Sequence, residues 1–320
     1  MKKFSQFTYR HIGSNEKDHQ DMLKTLNSNS LDDLLKSILP KNILIKEKLN
    51  IESVDTEIEM LDEMSVLSRT NKNFKSYIGM GYYNNITPSV IHRNMIQDPG
   101  WYTAYTPYQP EISQGRLEML MNFQQMVIDF TKMEVANASL LDEGTSAAEG
   151  MMLCFRNRKI SKNNFFLIQS SCHPQTISVV KTKAKPLNIN IKIIDEFTKE
   201  DLKESFGILV QYPDTYGHLN NLENIIKLCH DNNNLVCVAT DLLSLALLKP
   251  PGEMDADVVL GNAQRMGTPL GFGGPHASFF ASKNKFIRSM PGRIIGVTVD
   301  KRGKRTFRMA LQTREQHIRR

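Results

Sequence analysis

From residue 165 onward, short wholly apolar runs alternate with stretches whose apolar positions recur every three or four residues. Phe165–Ile168, Ile189–Ile194, Ile208–Tyr212, Leu235–Thr240 and Val258–Leu260 are too short for helices, rich in β-branched or aromatic residues, and read as strands buried on both faces. Ala147–Arg158, Gln175–Lys181 and Leu222–Asp231 lie between most of them and read as helices. This alternation predicts an α/β fold with a doubly wound, mostly parallel sheet. The first 75 residues carry a different pattern. Ser30-Leu-Asp-Asp33 resembles a capping box ahead of Leu34, Leu35, Ile38 and Leu39, Pro40 stops that helix, and a second helix is expected near Asp55 to Ser68. Residues 77–115 are turn-rich, although Pro88 suits the first turn of a helix reaching Met95, and an amphipathic helix follows over Arg116–Phe130. Two regions are therefore expected, a helical segment over 1–75 and an α/β domain over 76–320.

Composition narrows the class. The chain has 320 residues, 40% hydrophobic and 23% charged, which is ordinary for a globular protein able to bury a sizeable core. No run of eighteen apolar residues occurs, and the start Met-Lys-Lys-Phe-Ser-Gln-Phe leads into polar sequence, so no membrane association and a cytoplasmic location are expected. The four cysteines, Cys154, Cys172, Cys229 and Cys237, show no CxxC pairing. They are expected as reduced core thiols rather than as a disulfide framework or a metal site. The net charge of +6 raises nucleic acid as a partner, but the lysines are dispersed. The densest run, Lys301–Arg305, lies between apolar segments and reads as a solvated hairpin tip, so no nucleic acid is expected.

In an open parallel sheet, ligands bind beyond the carboxyl ends of the strands, so residues just after each strand carry the chemistry. Glu143-Gly144-Thr145-Ser146 opens a helix and could receive a phosphate on free N–H groups, or could be an ordinary cap. His173 follows the strand at 165–168 and could face a flat cofactor ring, or could serve as a structural hydrogen-bonder. Asp241 follows the strand at 235–240, where a carboxylate could pair with a protonated ring nitrogen or cap the next segment. Gly261-Asn-Ala-Gln264-Arg265-Met-Gly267 leads from the last strand into a glycine-rich turn ending at Pro275-His276. A further loop, Trp101–Gly115, is stiffened by Pro107 and Pro110 and offers the polar groups of Tyr105, Thr106, Tyr108, Gln109, Glu111 and Ser113. Such a loop suits a ligand, or a neighbouring subunit on which its tyrosines pack.

The order of these features resembles the large domain of fold-type I pyridoxal-phosphate enzymes. In that family the last turn carries a lysine that binds the cofactor covalently; here Gln264-Arg265 stand near its position, and a guanidinium does not lose its proton to form an imine. Arg10-His-Ile-Gly13, Tyr77-Ile-Gly-Met-Gly81, the 101–115 loop, Ala136–Thr145, Ser289–Gly296 and Arg308–Arg320 together closely resemble the amino-terminal portion of the glycine decarboxylase P-protein family; Ser14, where proline is expected, puts only a local turn in doubt. The resemblance implies two homologous folds in tandem. The carboxyl-terminal half would bind pyridoxal phosphate, and this chain would wall the site with the loop residues named above. The cleft of Gly144, Thr145, Ser146, His173 and Asp241 would then be a vestigial cofactor pocket. It also implies glycine as substrate, lipoylated H-protein and the carboxyl-terminal half as partners, and a dimeric assembly. A helix pattern beginning near Thr313 is cut at Arg320, so a truncated product with an incomplete small domain is expected. A non-catalytic scaffold or inactive fragment is the alternative.

Overall fold

The structure, a computed structural model, describes residues 7–311 apart from 46, 48, 53, 55, 104, 105, 108, 160–162 and 275. The helix expected from Thr313 lies outside the described residues. The chain divides into two compact units, Met1–Lys75 and Ser76–Arg320.

The first unit is helical. After a single turn at Phe7–His11 come α1 (Glu16–Thr25), α2 (Leu31–Ile38) and α3 (Glu57–Thr70). Their starts are fixed by side chains that satisfy otherwise unpaired N–H groups. Asn15 and Asp18 form a reciprocal capping box on α1, as do Thr56 and Glu59 on α3. Ser30 Oγ accepts Asp33 N on α2, without the reciprocal bond that the sequence led us to expect. Leu39 turns extended, as a residue before proline must, and ends α2. No described residue of this unit is buried, and Leu31, Ile38, Ile58 and Leu61 are all more than half exposed. Capping rather than a core defines these helices.

The second unit is built on a seven-stranded sheet of order β1-β7-β6-β5-β4-β2-β3. Its strands are β1 (Val135–Ala136), β2 (Phe165–Gln169), β3 (Asn190–Ile194), β4 (Ser205–Gln211), β5 (Leu235–Ala239), β6 (Val258–Asn262) and β7 (Ser278–Ser282). The run β3-β2-β4-β5-β6 is parallel, while β7 pairs antiparallel with β6 and β1 antiparallel with β7. The helix α4 (Gln114–Thr131) precedes β1, and α5 (Glu143–Arg156), α6 (Pro174–Ala184) and α7 (Leu222–Asp231) lie between the strands.

Alternate strand residues feed two cores. Phe166, Ile168, Phe206, Leu209, Cys237 and Leu260 pack with Ala147, Met151 and Cys154 of α5 on one face. Leu167, Ile208, Val210, Val236, Val238 and Val259 pack with Val127 of α4 and Ile226 and Cys229 of α7 on the other. Both faces being covered is why these strands read as continuous apolar runs; β3 departs from that expectation, since as the edge strand it buries only Ile194. Each fully buried large side chain contributes about 1.5–3 kcal/mol. All four cysteines are buried free thiols, with Cys154 Sγ and Cys237 Sγ 3.4 Å apart.

A second, two-stranded sheet, β8 (Ile294–Val299) and β9 (Arg305–Leu311), is an antiparallel hairpin whose tip is the basic run read from the sequence. Asp300 Oδ1 closes that tip by accepting Arg302 N and Lys304 N. The hairpin is bound to α4 by two glutamines acting as surrogate backbone. Gln114 Oε1 accepts Phe307 N at 2.8 Å, and buried Gln124 both accepts Ile295 N at 2.7 Å and donates to Ile295 O at 3.2 Å.

Some boundaries differ from the sequence reading. The helix expected at 147–158 starts at Glu143 because Asp142 caps it, and β4 begins at Ser205 rather than Ile208. The expected Pro88–Met95 helix is a short helical turn, Ser89–Ile91, running into π-helical turns at His92–Ile96. Among the described residues no helix is long and apolar enough to cross a membrane.

Candidate functional site

The parallel strands β2, β4, β5 and β6 end on one side of the sheet, and the start of α5 opens on the same side. The loops that follow deliver His173 after β2, Asp214 after β4, Asp241 after β5 and Asn262–Arg265 after β6. The segment 79–87 is strapped across them. Gln175 Nε2 donates to Met80 O at 2.6 Å, Gln264 Nε2 to Tyr83 O at 3.0 Å, Asn85 Nδ2 to Gln264 O at 2.7 Å, and Thr87 Oγ1 to Gly267 O at 2.6 Å. Gly81 makes this approach possible, since its φ is +88° and a Cβ there would meet the His173 ring at 3.2 Å.

Under the strap lie two adjoining cavities of about 410 and 230 Å³ that share Gly81, Glu143, His173 and Asn262 on their walls. The larger is completed by the α5 start, Gln175, Thr176 and His276; the smaller by Tyr83, Gln211, Asp214, Asp241 and Arg265.

Burial dominates the electrostatics here. It pushes the Glu143 carboxyl up to about 7, against the lowering effect of hydrogen bonds from Thr176 Oγ1 at 3.1 Å and Asn262 Nδ2 at 3.4 Å. It pushes His173 down to about 4, only partly offset by the Asp214 charge, so the imidazole is neutral at neutral pH, with Nδ1 2.9 Å from Thr215 Oγ1. Burial also raises Asp241, although Arg265 and the Leu243 N–H counteract it. Asp214 is buried too, yet N–H donors from His218 and Tyr216 and the His218 ring outweigh burial and hold its carboxyl below the usual range. Arg265 is held with its guanidinium carbon 5.0 Å from the centre of the Tyr83 ring and its Nε 3.8 Å from Asp241 Oδ2.

The structure thus brings Gly144, His173, Asp241 and Arg265 of the sequence candidates to one pair of cavities. Thr145 and Ser146 do not line them: Thr145 N donates to Asp142 Oδ1 at 2.7 Å, and Ser146 is buried with its Oγ 2.6 Å from Ser278 Oγ. Of the two readings open at this helix start, the ordinary cap is the one seen, with Asp142 occupying the Thr145 donor. Gln264 is buried, and its amide holds Tyr83 O and Thr268 O rather than facing the cavities.

The described loop candidates are absent from the cavity walls. Tyr105 and Tyr108 lie outside the described residues; Gln109 and Glu111 are exposed, Thr106 and Ser113 half-buried, and none of these four lines either cavity. Sequence reasoning did not single out Gly81 or Gln211 as wall residues, included Asn262 only within the 261–267 turn, and treated Glu143 as part of a helix start rather than as a buried acid. Only the position of Gln211 and Asn262 at strand ends could have flagged them.

These residues do not fit a pyridoxal phosphate. His173 could face its ring and Asp241 its nitrogen. However, among the described residues no lysine lines the cavities, and Asp142 and Glu143 put two carboxyl groups on the wall of the larger cavity at the α5 start, which opposes a bound phosphate. Also among the described residues, no group of three or more His, Cys, Asp or Glu is placed to hold a metal ion.

Comparison with known proteins gives a consistent picture. The family model described as glycine cleavage system P-protein matches residues 9–320. A mitochondrial glycine dehydrogenase (decarboxylating) of Dictyostelium discoideum is 52% identical, covering 98% of this chain and 33% of the relative. The glycine dehydrogenase (decarboxylating) of Pelagibacter ubique matches with the same identity and coverage. The chain therefore spans about a third of the length of these curated relatives. Among solved structures, an inhibitor-bound glycine decarboxylase (P-protein) of the glycine cleavage system superposes with a TM-score of 0.81 at 32% identity, over 94% of this chain and 69% of that one. A sphingosine-1-phosphate lyase of Burkholderia pseudomallei, at TM-score 0.51 and 10% identity over 83% of this chain and 66% of that one, shares the fold alone. The architecture is that of the large domain of fold-type I pyridoxal-phosphate enzymes, as the sequence led us to expect.

Proposed function

The chain belongs to the glycine cleavage system P-protein family, and from that premise we propose that it forms the amino-terminal part of a glycine decarboxylase and walls an active site whose lysine and cofactor come from a portion outside these residues. The observation that carries this reading is the turn after β6. Where a fold-type I enzyme needs an amine, Gln264 is buried and hydrogen-bonded to the strap, and Arg265 offers a guanidinium beside the Tyr83 ring, 3.8 Å from Asp241. A guanidinium stays protonated and is no nucleophile at neutral pH.

In the proposed reaction glycine loses its carboxylate as CO2, and the remaining aminomethyl carbon bonds to one sulfur of the oxidised lipoyl disulfide of H-protein, whose S–S bond breaks and whose other sulfur takes up the electron pair and a proton as a thiol. Pyridoxal phosphate, held outside this chain, supplies the electron sink for that carbanion chemistry. The contribution of this chain is positioning. Pro107 and Pro110 stiffen the 101–115 loop, and Gln114 ties its end to β9 by hydrogen bonds with Phe307 N and O. Gln109 and Glu111 are exposed rather than turned into the chain's own cavities. We assign Tyr105, Thr106, Tyr108, Gln109, Glu111 and Ser113 to the wall of the completed site, in a dimeric assembly of the two portions that H-protein docks on.

The test is reductive trapping with borohydride after loading the reconstituted enzyme with pyridoxal phosphate, followed by peptide mass spectrometry. A pyridoxyl-lysine found only on the complementing portion is expected. One found on any lysine of this chain would overturn the assignment.

A further inference from the structure

The smaller cavity has unspent recognition chemistry. Gln211 is 2% exposed, lines this cavity, and its Oε1 has no hydrogen-bond partner. It pairs in register with Ala239, two residues before Asp241, so the two side chains leave neighbouring strand ends. Asp241 spends Oδ1 on Leu243 N at 3.1 Å. Its Oδ2 meets Arg265 only at 3.8 Å, beyond hydrogen-bond length. The other charged groups on the wall are already satisfied: Asp214 accepts Tyr216 N and His218 N, and Glu143 accepts Thr176 and Asn262.

An opened acid–arginine pair beside an orphaned carbonyl oxygen is complementary to a molecule carrying both an ammonium and a carboxylate. A phosphate would face the carboxylates of Asp214 and Asp241 with Arg265 as its one cationic wall residue, and a simple amine would leave that guanidinium unmatched. We infer that the smaller cavity binds a small zwitterionic amino acid without any cofactor, Asp241 and Gln211 receiving its ammonium and Arg265 its carboxylate. At about 230 Å³ the space admits a compact amino acid. This binding needs only the present chain, so it stands or falls separately from the catalytic reading above.

The experiment is isothermal titration of the 320-residue chain, free of pyridoxal phosphate, with glycine and L-alanine as probes and methylamine, acetate and inorganic phosphate as half-matched controls. Saturable binding of glycine or alanine is expected, with each control at least about tenfold weaker, the worth of one charge-assisted hydrogen bond. Asp241→Asn keeps the cap on Leu243 while removing the charge, and is expected to weaken glycine binding about tenfold or more at unchanged melting temperature. Gln211→Met provides a second, uncharged variant that is expected to weaken it as well. Absence of saturable amino-acid binding, tighter binding of phosphate, or wild-type affinity in both folded variants would overturn the inference.

Discussion

Replacing Glu143 with glutamine isolates the cost of burying an acid under the strap. Burial lifts this carboxyl from 4.5 to about 7. At 1.36 kcal/mol per pH unit, a rise of about 2.5 units corresponds to about 3 kcal/mol. The sign follows from linkage: between pH 4.5 and about 7 the folded chain keeps a proton that the unfolded chain has released, so stability falls as pH rises through that window and the full penalty persists above it. His173 acts in the opposite sense. Its imidazole is pushed down to about 4, so stability is lost as pH falls from 6.5 toward 4. The two trends offset each other in the wild-type chain over their shared window. Glu143→Gln removes only the first. Urea unfolding of both proteins, followed by circular dichroism from pH 5 to pH 8, reads the difference directly. Its free-energy advantage over wild type is expected to grow by up to about 3 kcal/mol across that range. Parallel stability curves for the two proteins would refute the reasoning, because they would mean that Glu143 titrates alike in the folded and unfolded chains.

Other consequences are equally direct. Gln124→Leu strips both backbone partners of buried Ile295 and is expected to destabilise by about 2–4 kcal/mol in chemical denaturation; a loss under about 0.5 kcal/mol would contradict the role given to that amide. Gly81→Ala must hold φ +88° and press on the His173 ring, so a loss of at least about 1 kcal/mol is expected, and an unchanged melting temperature would show that the strap does not lie there. The four buried thiols, with Cys229 pushed up to about 12 by burial, should be silent to Ellman's reagent at pH 8 and react fully after unfolding. In a reconstituted enzyme, Glu111→Ala should lower glycine turnover more than melting temperature; unchanged turnover would remove the loop from the site.

The central strands were legible because each is buried on both faces. Leu167 and Val236 enter one core while Phe166 and Cys237 enter the other, which leaves no polar alternation to confuse with a helix. Leu222–Asp231 was legible to the residue, since Asn221 caps it and its buried positions repeat at helical spacing. By contrast β1 has two residues and β7 follows a glycine-rich turn, too little pattern for periodicity to detect. The polar helix α1 was missed although Asn15 and Asp18 carry its signature, because none of its residues is buried. In the site, His173, Asp241 and Arg265 could be placed because each lies within four residues of the carboxyl end of a strand. Gly81 and the raised pKa of Glu143 could not, since both depend on a strap that meets the strand ends only through tertiary hydrogen bonds.

The central claim is that this chain completes, but does not itself contain, a glycine-decarboxylating site. Exchange of labelled bicarbonate into the carboxyl group of glycine tests it most directly, using this chain alone and then with a lysine-bearing carboxyl-terminal portion, pyridoxal phosphate and lipoylated H-protein being present in both. Exchange confined to the combined sample is the expected result. Exchange by this chain alone, or none in the combined sample with the second portion folded and cofactor-loaded, would contradict the account.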